Sequence, residues 1–387
     1  MHRALFLNRD LEYHGGVSNV LLTLARGHDG SRFEFRFGSM MPPSDAIRDA
    51  FGALNIKLMS IGDEVYLKPA KALRKYINSE QIDVVVASSF KAGLVARIAA
   101  LGTRCRVVHY VHAIDLVLEG KFKRKLFAMV GRHDGMLFVS HAVEKAHRPA
   151  NHRGPSAVVY NGVPDPLANP ETQPYPREFR AELGIPDDAL LLAYIGAFVG
   201  WKDHPTVLKA FSKLDPSLHA HLLLIGKGEP GSTVEQQVAD LNNSRVKIIN
   251  PRPDARKILG TVDIYVHSSR REGFGLAVVE ALLTGRPVVA TREGAFMEYI
   301  EDGKTGLLAD PGNPDSFAEK IRLLAVDRAM AERLGVAGRE ACVDRFSPRN
   351  FAKNMCDFLE RMLPRTDKLS RDESPAGVYH QHRGISA

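Results

Sequence analysis

The chain has 387 residues, of which 44% are hydrophobic and 25% are charged, a composition typical of a soluble globular protein. Its length favours two domains over one. The formal net charge of +7 would attract nucleotides, lipid headgroups and nucleic acid alike, so charge alone selects no partner.

Membrane-spanning and disulfide-rich proteins are both disfavoured. The N-terminal apolar stretch is too short for a signal peptide, and no run approaches the roughly 20 apolar residues of a membrane-spanning helix. The three cysteines, Cys105, Cys342 and Cys356, lack the close spacing of a zinc site or a disulfide framework. We therefore expect a cytoplasmic, non-spanning protein whose thiols are reduced and buried.

Short β-branched or aliphatic runs alternate with amphipathic segments along the chain, the pattern of a doubly wound α/β protein with parallel sheets. The strands predicted in the first half are Arg3–Asn8, Phe33–Gly38, Ile56–Ile61, Ile82–Ser88, Arg106–His112, Gly135–Ser140 and Ala157–Asn161. Those predicted in the second half are Leu190–Gly196, Ala220–Gly226, Val246–Ile249, Ile264–Ser268, Pro287–Thr291 and Thr305–Leu308. Helical patterns such as Thr206–Lys213 and Ser316–Ala325 separate the strands.

Between the halves, Gly162–Arg177 carries five prolines, so neither a helix nor a strand can run through it. This linker divides a first domain, residues 1–165, from a second domain, residues 178–347. Residues 348–364 form one more amphipathic helix, which we expect to return to the first domain. The tail at 365–387 is rich in Ser, Gly, Pro, His and charged residues and is expected to be disordered.

The segment Ser268–Ala290 reads as a strand end, a glycine-bearing loop, a helix that starts near Gly275 and a returning strand. It places a helix N-terminus at the carboxyl end of a sheet, where open α/β sheets bind ligands and where free helix amides favour phosphate. Gly273 and Gly275 would let a diphosphate approach the backbone. Glu280 lies among apolar helix residues, so it must face solvent or meet buried donors such as sugar or ribose hydroxyls. Glu272 lies just before the helix, at the crevice.

The stretch EGFGLAVVEAL, which begins at Glu272, resembles the Glu, seven residues, Glu signature of the retaining glycosyltransferases of family 4. The resemblance implies an α/β protein of GT-B fold, in which the parallel sheets of two Rossmann-like domains face each other across a cleft. It implies that Glu272 holds the hydroxyls of the donor sugar and that Glu280 holds the nucleotide ribose. It also implies that Phe274, Gly275 and Leu276 contribute backbone amides near the donor.

Two elements of the first half resemble the same family. His14–Gly16, followed by an apolar helix, resembles the turn that opens the first helix, which implies that Gly15 and Gly16 approach the donor diphosphate or the acceptor. His112 ends a strand where the family often has a histidine that faces the cleft and contacts the donor sugar; Asp115 is a weaker candidate there. Outside the family context, a glycine pair is more often a plain turn and a lone histidine at a strand end is more often structural.

The element Ile195–Phe211 resembles the start of the family's second domain, which carries a glycine, then an arginine, then a lysine five residues later. Gly196 and Lys202 match the glycine and the lysine, and Lys202 would bind the donor diphosphate as a point cation. The arginine position is Ala197 here, which puts the two-cation clamp in doubt. The candidates to replace the missing cation are Arg252, Arg270 and Arg271.

Three weaker matches complete the resemblance. Tyr160–Asp165 resembles a turn at the hinge between the domains. Leu223–Pro230 and Pro251–Ser269 resemble loops on the nucleotide side, which implies that the backbone at Arg252–Asp254 lies near the base. Glu298 is either a support of the site or a surface acid.

The resemblance implies transfer of a sugar from a nucleoside-diphosphate sugar, UDP- or GDP-linked, to a carbohydrate or lipid-linked acceptor hydroxyl in polysaccharide, lipopolysaccharide or glycolipid assembly. Breaking the anomeric C–O bond needs charge stabilisation on the leaving phosphates, which Lys202 and the helix amides would supply. No Asp-any-Asp triplet occurs, which argues against the other common transferase fold and its metal-bound diphosphate. No metal and no cofactor besides the donor substrate is therefore predicted.

Three other functions stay open at this point. A nucleotide-sugar epimerase of related fold would share the sheets but lack the Glu272 and Glu280 signature. A catalytically silent sugar-nucleotide-binding protein is suggested by Ala197. A nucleic-acid-binding protein is suggested by the charge alone, but the basic residues are dispersed and no recognition motif is found, so no nucleic-acid partner is predicted.

Residues 120–132 combine basic and apolar side chains at near-helical spacing. The segment fits a helix resting on an anionic membrane surface and a solvated helix face of the first domain equally well. The membrane interpretation would make the protein peripheral on the inner face of the cytoplasmic membrane, with a lipid-linked or membrane-assembled acceptor.

Overall fold

The computed structural model describes residues 1–12, 15–62, 66–114, 134–168, 172–228 and 233–363. His14, Asp115, the basic segment 120–132 and the tail 365–387 lie outside the described residues, so the predictions made for them stay predictions.

The first domain is built on a sheet of seven parallel strands. These are β1 (His2–Asn8), β2 (Phe33–Ser39), β3 (Met59–Ser60), β4 (Val84–Ala87), β5 (Arg106–Val111), β6 (Gly135–Phe138) and β7 (Ser156–Val158). Their order across the sheet is β3-β2-β1-β4-β5-β6-β7. Each strand predicted in the first half is present, although β3 is only two residues long.

The second domain is built on a sheet of six parallel strands. These are β8 (Leu190–Ile195), β9 (Ala220–Ile225), β10 (Val246–Ile249), β11 (Ile264–His267), β12 (Val288–Thr291) and β13 (Leu307–Ala309). Their order is β10-β9-β8-β11-β12-β13. The predicted architecture, α/β with two Rossmann-like domains of parallel strands, is confirmed.

Helices connect the strands in both domains. Those of the first domain are α1 (Gly16–Gly27), α2 (Asp45–Gly52), α3 (Leu67–Ser79), α4 (Phe90–Ala100) and α5 (His141–His147). Those that follow are α6 (His204–Ser212), α7 (Thr233–Leu241), α8 (Ala255–Ile258), α9 (Leu276–Leu283), α10 (Pro314–Val326), α11 (Arg328–Val343) and α12 (Pro348–Met362). In the ranges that the structure describes, none of the helices has both the length and the apolar character needed to cross a membrane.

Both faces of each sheet are buried. In β1, Phe6 belongs to one hydrophobic cluster and its neighbours Leu5 and Leu7 belong to another. In β8, Leu192 and Leu191 are divided between two clusters in the same way. Because side chains alternate across a strand, this division means that helices cover both faces, as near-continuous apolar strands require. Cys105, Cys342 and Cys356 are unpaired and buried, as predicted.

The last helix contacts the first domain. Arg32, directly before β2, pairs with Asp357 and Glu360 of α12, each at 2.7 Å. A Cβ at Gly27 would overlap the carbonyl of Pro348, so a glycine ends α1 where α12 begins. The chain therefore crosses back to the first domain after completing the second.

The two domains are also joined through Glu298. Its carboxylate accepts hydrogen bonds from the backbone N–H of Ala142 at 2.8 Å and of His141 at 3.0 Å, at the start of α5. The hydroxyl of Tyr160 donates to the same carboxylate at 2.8 Å. An acid at a helix N-terminus satisfies amides that have no partner inside the helix. Glu298 is thus an interdomain contact and not a solvated surface acid.

Candidate functional site

The candidate site lies where the strand order of the second sheet reverses. There β8 and β11 are neighbours, with β9 and β10 on one side and β12 and β13 on the other. The loops that leave the carboxyl ends of such strands diverge and open a crevice, the usual ligand site of an open α/β sheet. One loop runs from Gly196 to Lys202 and the other from Ser268 to Gly275. The two loops that the sequence singled out therefore lie side by side.

Lys202 and Glu272 form an ion pair in this crevice. The ammonium Nζ of Lys202 lies 2.5 Å from Oε2 of Glu272, and the side chains are 18% and 15% exposed. Burial by itself would raise the pKa of Glu272, but the charge of Lys202 and the ring of His267 outweigh it and hold that pKa well below its usual value. Glu272 is therefore a carboxylate, ready to accept hydrogen bonds.

The loop that carries Lys202 is bonded to its surroundings at several points. The hydroxyl of Tyr194 donates to the carbonyl of Lys202 at 2.6 Å, and the hydroxyl of Ser268 donates to the carbonyl of Asp203 at 2.7 Å. The Lys202 stem passes over Gly196, where an added Cβ would lie 3.9 Å from it. The hydrogen bond from Ser268 thus joins the two loops, as the ion pair does.

A glycine is needed where the acid-bearing loop enters α9. Gly275 has a φ of 81°, a conformation that other residues rarely adopt. A Cβ there would lie 3.3 Å from Cγ of Glu272 and 2.5 Å from the ring of Phe296. The helix begins at Leu276, and the N–H of Val278 donates to the carbonyl of Gly275 at 3.0 Å, so the first N–H groups, those of Leu276 and Ala277, have no preceding helix carbonyl to donate to.

Phe274 contributes its ring to the contact between the domains. The ring is buried and packs against Tyr160 of the first domain and against Phe346, at centroid distances of 6.3 and 5.2 Å. Its carbonyl accepts a hydrogen bond from the hydroxyl of Tyr299 at 2.6 Å. The start of α9 is therefore held rigidly from both domains.

Glu280 lies one turn further along α9 and is 6% exposed. Burial raises the pKa of its carboxyl, and Arg256 opposes the rise. The guanidinium Nε of Arg256 lies 2.8 Å from Oε1 of Glu280. Arg256 was not predicted, because the apolar sequence around Glu280 indicates that this acid needs a partner but does not identify one arginine.

His112 brings the first domain to the acid-bearing loop. A Cβ at Gly273 would overlap the backbone carbonyl of His112, so the loop passes directly against the end of β5. The His112 ring lies 4.1 Å from the ring of Tyr110, and its Nε2 finds no hydrogen-bond partner among the described residues. Burial lowers the pKa of His112 to about 3, so the ring is neutral.

The three candidate replacements for the missing cation lie in different places. Arg270 donates to Asp203 at 2.7 Å and is joined in this way to the Lys202 loop. Arg252 pairs with Asp254 at 2.6 Å and lies over the ring of Phe179. Arg271 is exposed. Ala197 itself is exposed, so the position leaves space for a longer side chain.

The predicted glycines of the first domain lie at the switch point of the first sheet. Gly15 and Gly16 follow β1, which neighbours β4 where that sheet's order reverses, and α1 begins at Gly16. The N–H of Gly15 donates to the carbonyl of Glu12 at 2.9 Å. Among the described residues, a Cβ at Gly16 would meet nothing within 4 Å.

His267, which the sequence did not single out, lies behind Glu272. It is the last residue of β11 and is 1% exposed. Its Nε2 lies 3.5 Å from Oε2 of Glu272. A histidine inside an apolar strand gives no signal of such a contact, because the contact depends on how the following loop folds back.

Two family models match the chain. Glycosyltransferase Family 4 matches residues 14–165, and Glycosyl transferases group 1 matches residues 176–341. A lipopolysaccharide core biosynthesis glycosyltransferase from Rhizobium meliloti is 34% identical over 43% of this chain and 49% of that protein. The N-acetyl-alpha-D-glucosaminyl L-malate synthase of Bacillus anthracis is 26% identical over 64% of this chain and 65% of that protein. The chain spans less than two thirds of the length of either relative.

Solved structures share the whole architecture. Anabaena HepE in complex with UDP-glucose matches with a TM-score of 0.81 at 22% identity, over 93% of this chain and 100% of that chain. The sucrose-phosphate synthase of Thermosynechococcus elongatus matches with a TM-score of 0.79 at 17% identity, over 93% and 99%. At these identities the likeness establishes the GT-B fold alone.

The close approach of Gly273 to His112 predicts that a side chain at position 273 will destabilise the protein. Gly273→Ala places a methyl group against the His112 carbonyl, so the loop or the domain must move. We expect a loss of about 1–3 kcal/mol in stability to chemical denaturation, the usual cost of overpacking, and a larger radius of gyration in small-angle X-ray scattering. Gly52→Ala is the matched control, since a Cβ at Gly52 meets nothing within 4 Å. Wild-type stability and scattering for Gly273→Ala would show that the two segments do not touch in solution.

Proposed function

Since the chain belongs to the group 1 glycosyl transferases, we propose that it is a retaining enzyme that moves a sugar from a nucleoside-diphosphate sugar to an acceptor hydroxyl. The observation that carries the proposal is the ion pair of Lys202 and Glu272 at the switch point of the second sheet, beside the start of α9. A cation and free helix amides suit a diphosphate, and a carboxylate suits sugar hydroxyls.

In the proposed reaction, the anomeric C–O bond to the β-phosphate breaks and a bond from the anomeric carbon to the acceptor oxygen forms on the same face. The acceptor's proton passes to the leaving phosphate oxygen. Lys202 and the amides at the start of α9 stabilise the charge that develops on the diphosphate. Glu272 holds the sugar through its hydroxyls, and His112 reaches the reacting centre from the first domain.

The charge supplied by Lys202 and the helix amides takes the place of a metal ion in this proposal. We therefore propose that catalysis is metal-independent.

The donor is proposed to be a UDP- or GDP-sugar. Glu280, which is paired with Arg256, accepts the ribose hydroxyls, and the backbone at 252–254 lies near the base. Solved structures of Anabaena HepE, which shares the fold, contain UDP or UDP-glucose. The acceptor is proposed to be a carbohydrate or lipid-linked sugar in polysaccharide, lipopolysaccharide or glycolipid assembly, which the Rhizobium meliloti relative supports.

The proposal is tested by screening UDP-, GDP- and ADP-sugars for protection against thermal unfolding, because a ligand that binds only the folded state raises its stability. The protecting sugar is then incubated with acceptors, and NMR reads the anomeric configuration of the product. Retention is expected. Inversion would contradict the retaining mechanism, and isomerised donor without any acceptor would identify an epimerase. Binding without transfer to any acceptor would favour the silent binding protein that Ala197 suggests.

Because Lys202 is the single cation of its loop, we expect kcat to depend strongly on it. Lys202→Ala should lower kcat by about 100- to 1000-fold, as the loss of one charge-stabilising donor does, while Lys209→Ala, on the exposed face of α6, should leave it unchanged. Ala197→Arg should tighten UDP binding in calorimetry, because it restores a second cation at an exposed position. If Lys202→Ala keeps most of the activity, other cations hold the phosphates, and Arg270 is the first to replace.

We also propose peripheral membrane association through residues 120–132, on the basis of their sequence. Co-sedimentation with vesicles of anionic phospholipid should fall steeply as salt rises, because screening weakens attraction to the surface. Lys123→Glu combined with Lys125→Glu should keep the protein in solution. Equal sedimentation of wild type and variant would leave the segment as a solvated helix face.

A further inference from the structure

His267 is buried, and its Nε2 faces the carboxylate of Glu272. The proposed reaction gives it no role. We propose that His267 is a positioning residue, which holds Glu272 through its Nε2–H when Lys202 turns from Glu272 to the donor diphosphate. The inference rests on the proposed function and names the residue that keeps its acid in place.

The His267 ring is fixed on every side. Phe296 and Tyr194 pack edge-on against it, with centroid distances of 5.4 and 4.5 Å. The hydroxyl of Tyr265 lies 3.1 Å from its Nδ1, and its Nε2 lies 3.5 Å from Oε2 of Glu272. The ring therefore cannot turn away from Glu272 without disturbing the core.

The partners of the ring select one tautomer. Burial lowers the pKa of His267 to about 4, so at neutral pH it carries one ring proton. A carboxylate only accepts hydrogen bonds, so the ring proton belongs on Nε2, which faces Glu272. Nδ1 then accepts from the hydroxyl of Tyr265 at 3.1 Å, a donation for which the carbonyl of Ile195 competes at 3.3 Å.

The ion pair explains why a second partner is needed. Lys202 and His267 approach the same oxygen, Oε2 of Glu272, at 2.5 and 3.5 Å. When Lys202 contacts the diphosphate, the buried carboxylate loses its nearer partner, and an uncompensated buried charge is costly. His267 belongs to β11 and its ring is enclosed by the core, so it remains in place. Oε2 of Glu272 can then move toward Nε2 of His267, which leaves Oε1 free for a sugar hydroxyl.

Two substitutions of similar size distinguish the loss of the hydrogen bond to Glu272 from the loss of packing in the core. In His267→Gln the amide nitrogen takes the place of Nε2 and can still donate to Glu272. In His267→Asn the amide nitrogen takes the place of Nδ1 and is too far from Glu272 to donate to it. Val266→Ala, at the neighbouring buried position of β11, measures the effect of a packing loss alone.

Steady-state transfer is measured with the donor that protects the protein. We expect His267→Asn to lower kcat about tenfold to a hundredfold, the value of one hydrogen bond to a charged group, and to change the donor KM by less than about threefold because binding to the nucleotide is retained. His267→Gln should recover most of kcat. Equal kcat for the two variants, or a loss no larger than that of Val266→Ala, would overturn the inference while leaving the proposed function intact.

A measurement that needs neither variant is nitrogen NMR of the histidine rings in the wild-type protein, without and with UDP. The Nε2–H tautomer of His267 is expected in both states. The Nδ1–H tautomer in the UDP complex would overturn the inference even if His267→Asn fails to fold. Absence of transfer by the wild type with UDP-, GDP- and ADP-sugars alike would instead remove the proposed function, and this positioning role with it.

Discussion

The ion pair of Lys202 and Glu272 is the interaction on which the candidate site depends. Without its partner, either residue would leave an uncompensated charge in a largely buried crevice, and removing one member of a buried pair typically costs about 3–5 kcal/mol. The pair therefore fixes the two loops that leave β8 and β11 against each other. It also brings together a cation, which can bind phosphate, and a carboxylate, which can accept hydrogen bonds from hydroxyls.

Residues of the first domain line one side of this crevice. Gly273 passes against the carbonyl of His112, and Glu298 binds the amides at the start of α5. One hydrophobic cluster runs through the seam, from Val111 of the first domain to Phe274 of the second. A sugar held by Glu272 would thus lie between the two domains.

Most of the fold follows from sequence pattern, because parallel strands buried on both faces are continuous apolar runs that periodicity detects directly. Gly275 and the start of α9 were predictable for the same local reason. Arg256 and His267 were not, because their partners Glu280 and Glu272 lie on other elements. Glu298 stayed ambiguous, since nothing local distinguishes an interdomain contact from a surface acid. The helix α11 was not among the predicted elements either.

The most direct test is a crystal structure with the nucleotide sugar that stabilises the protein most. We expect Lys202 Nζ to contact a phosphate oxygen and to lie beyond ion-pair distance from Glu272 Oε2. We also expect Glu272 to hold a sugar hydroxyl while still facing His267. A bound sugar nucleotide that leaves the pair of Lys202 and Glu272 intact at its 2.5 Å separation would contradict it.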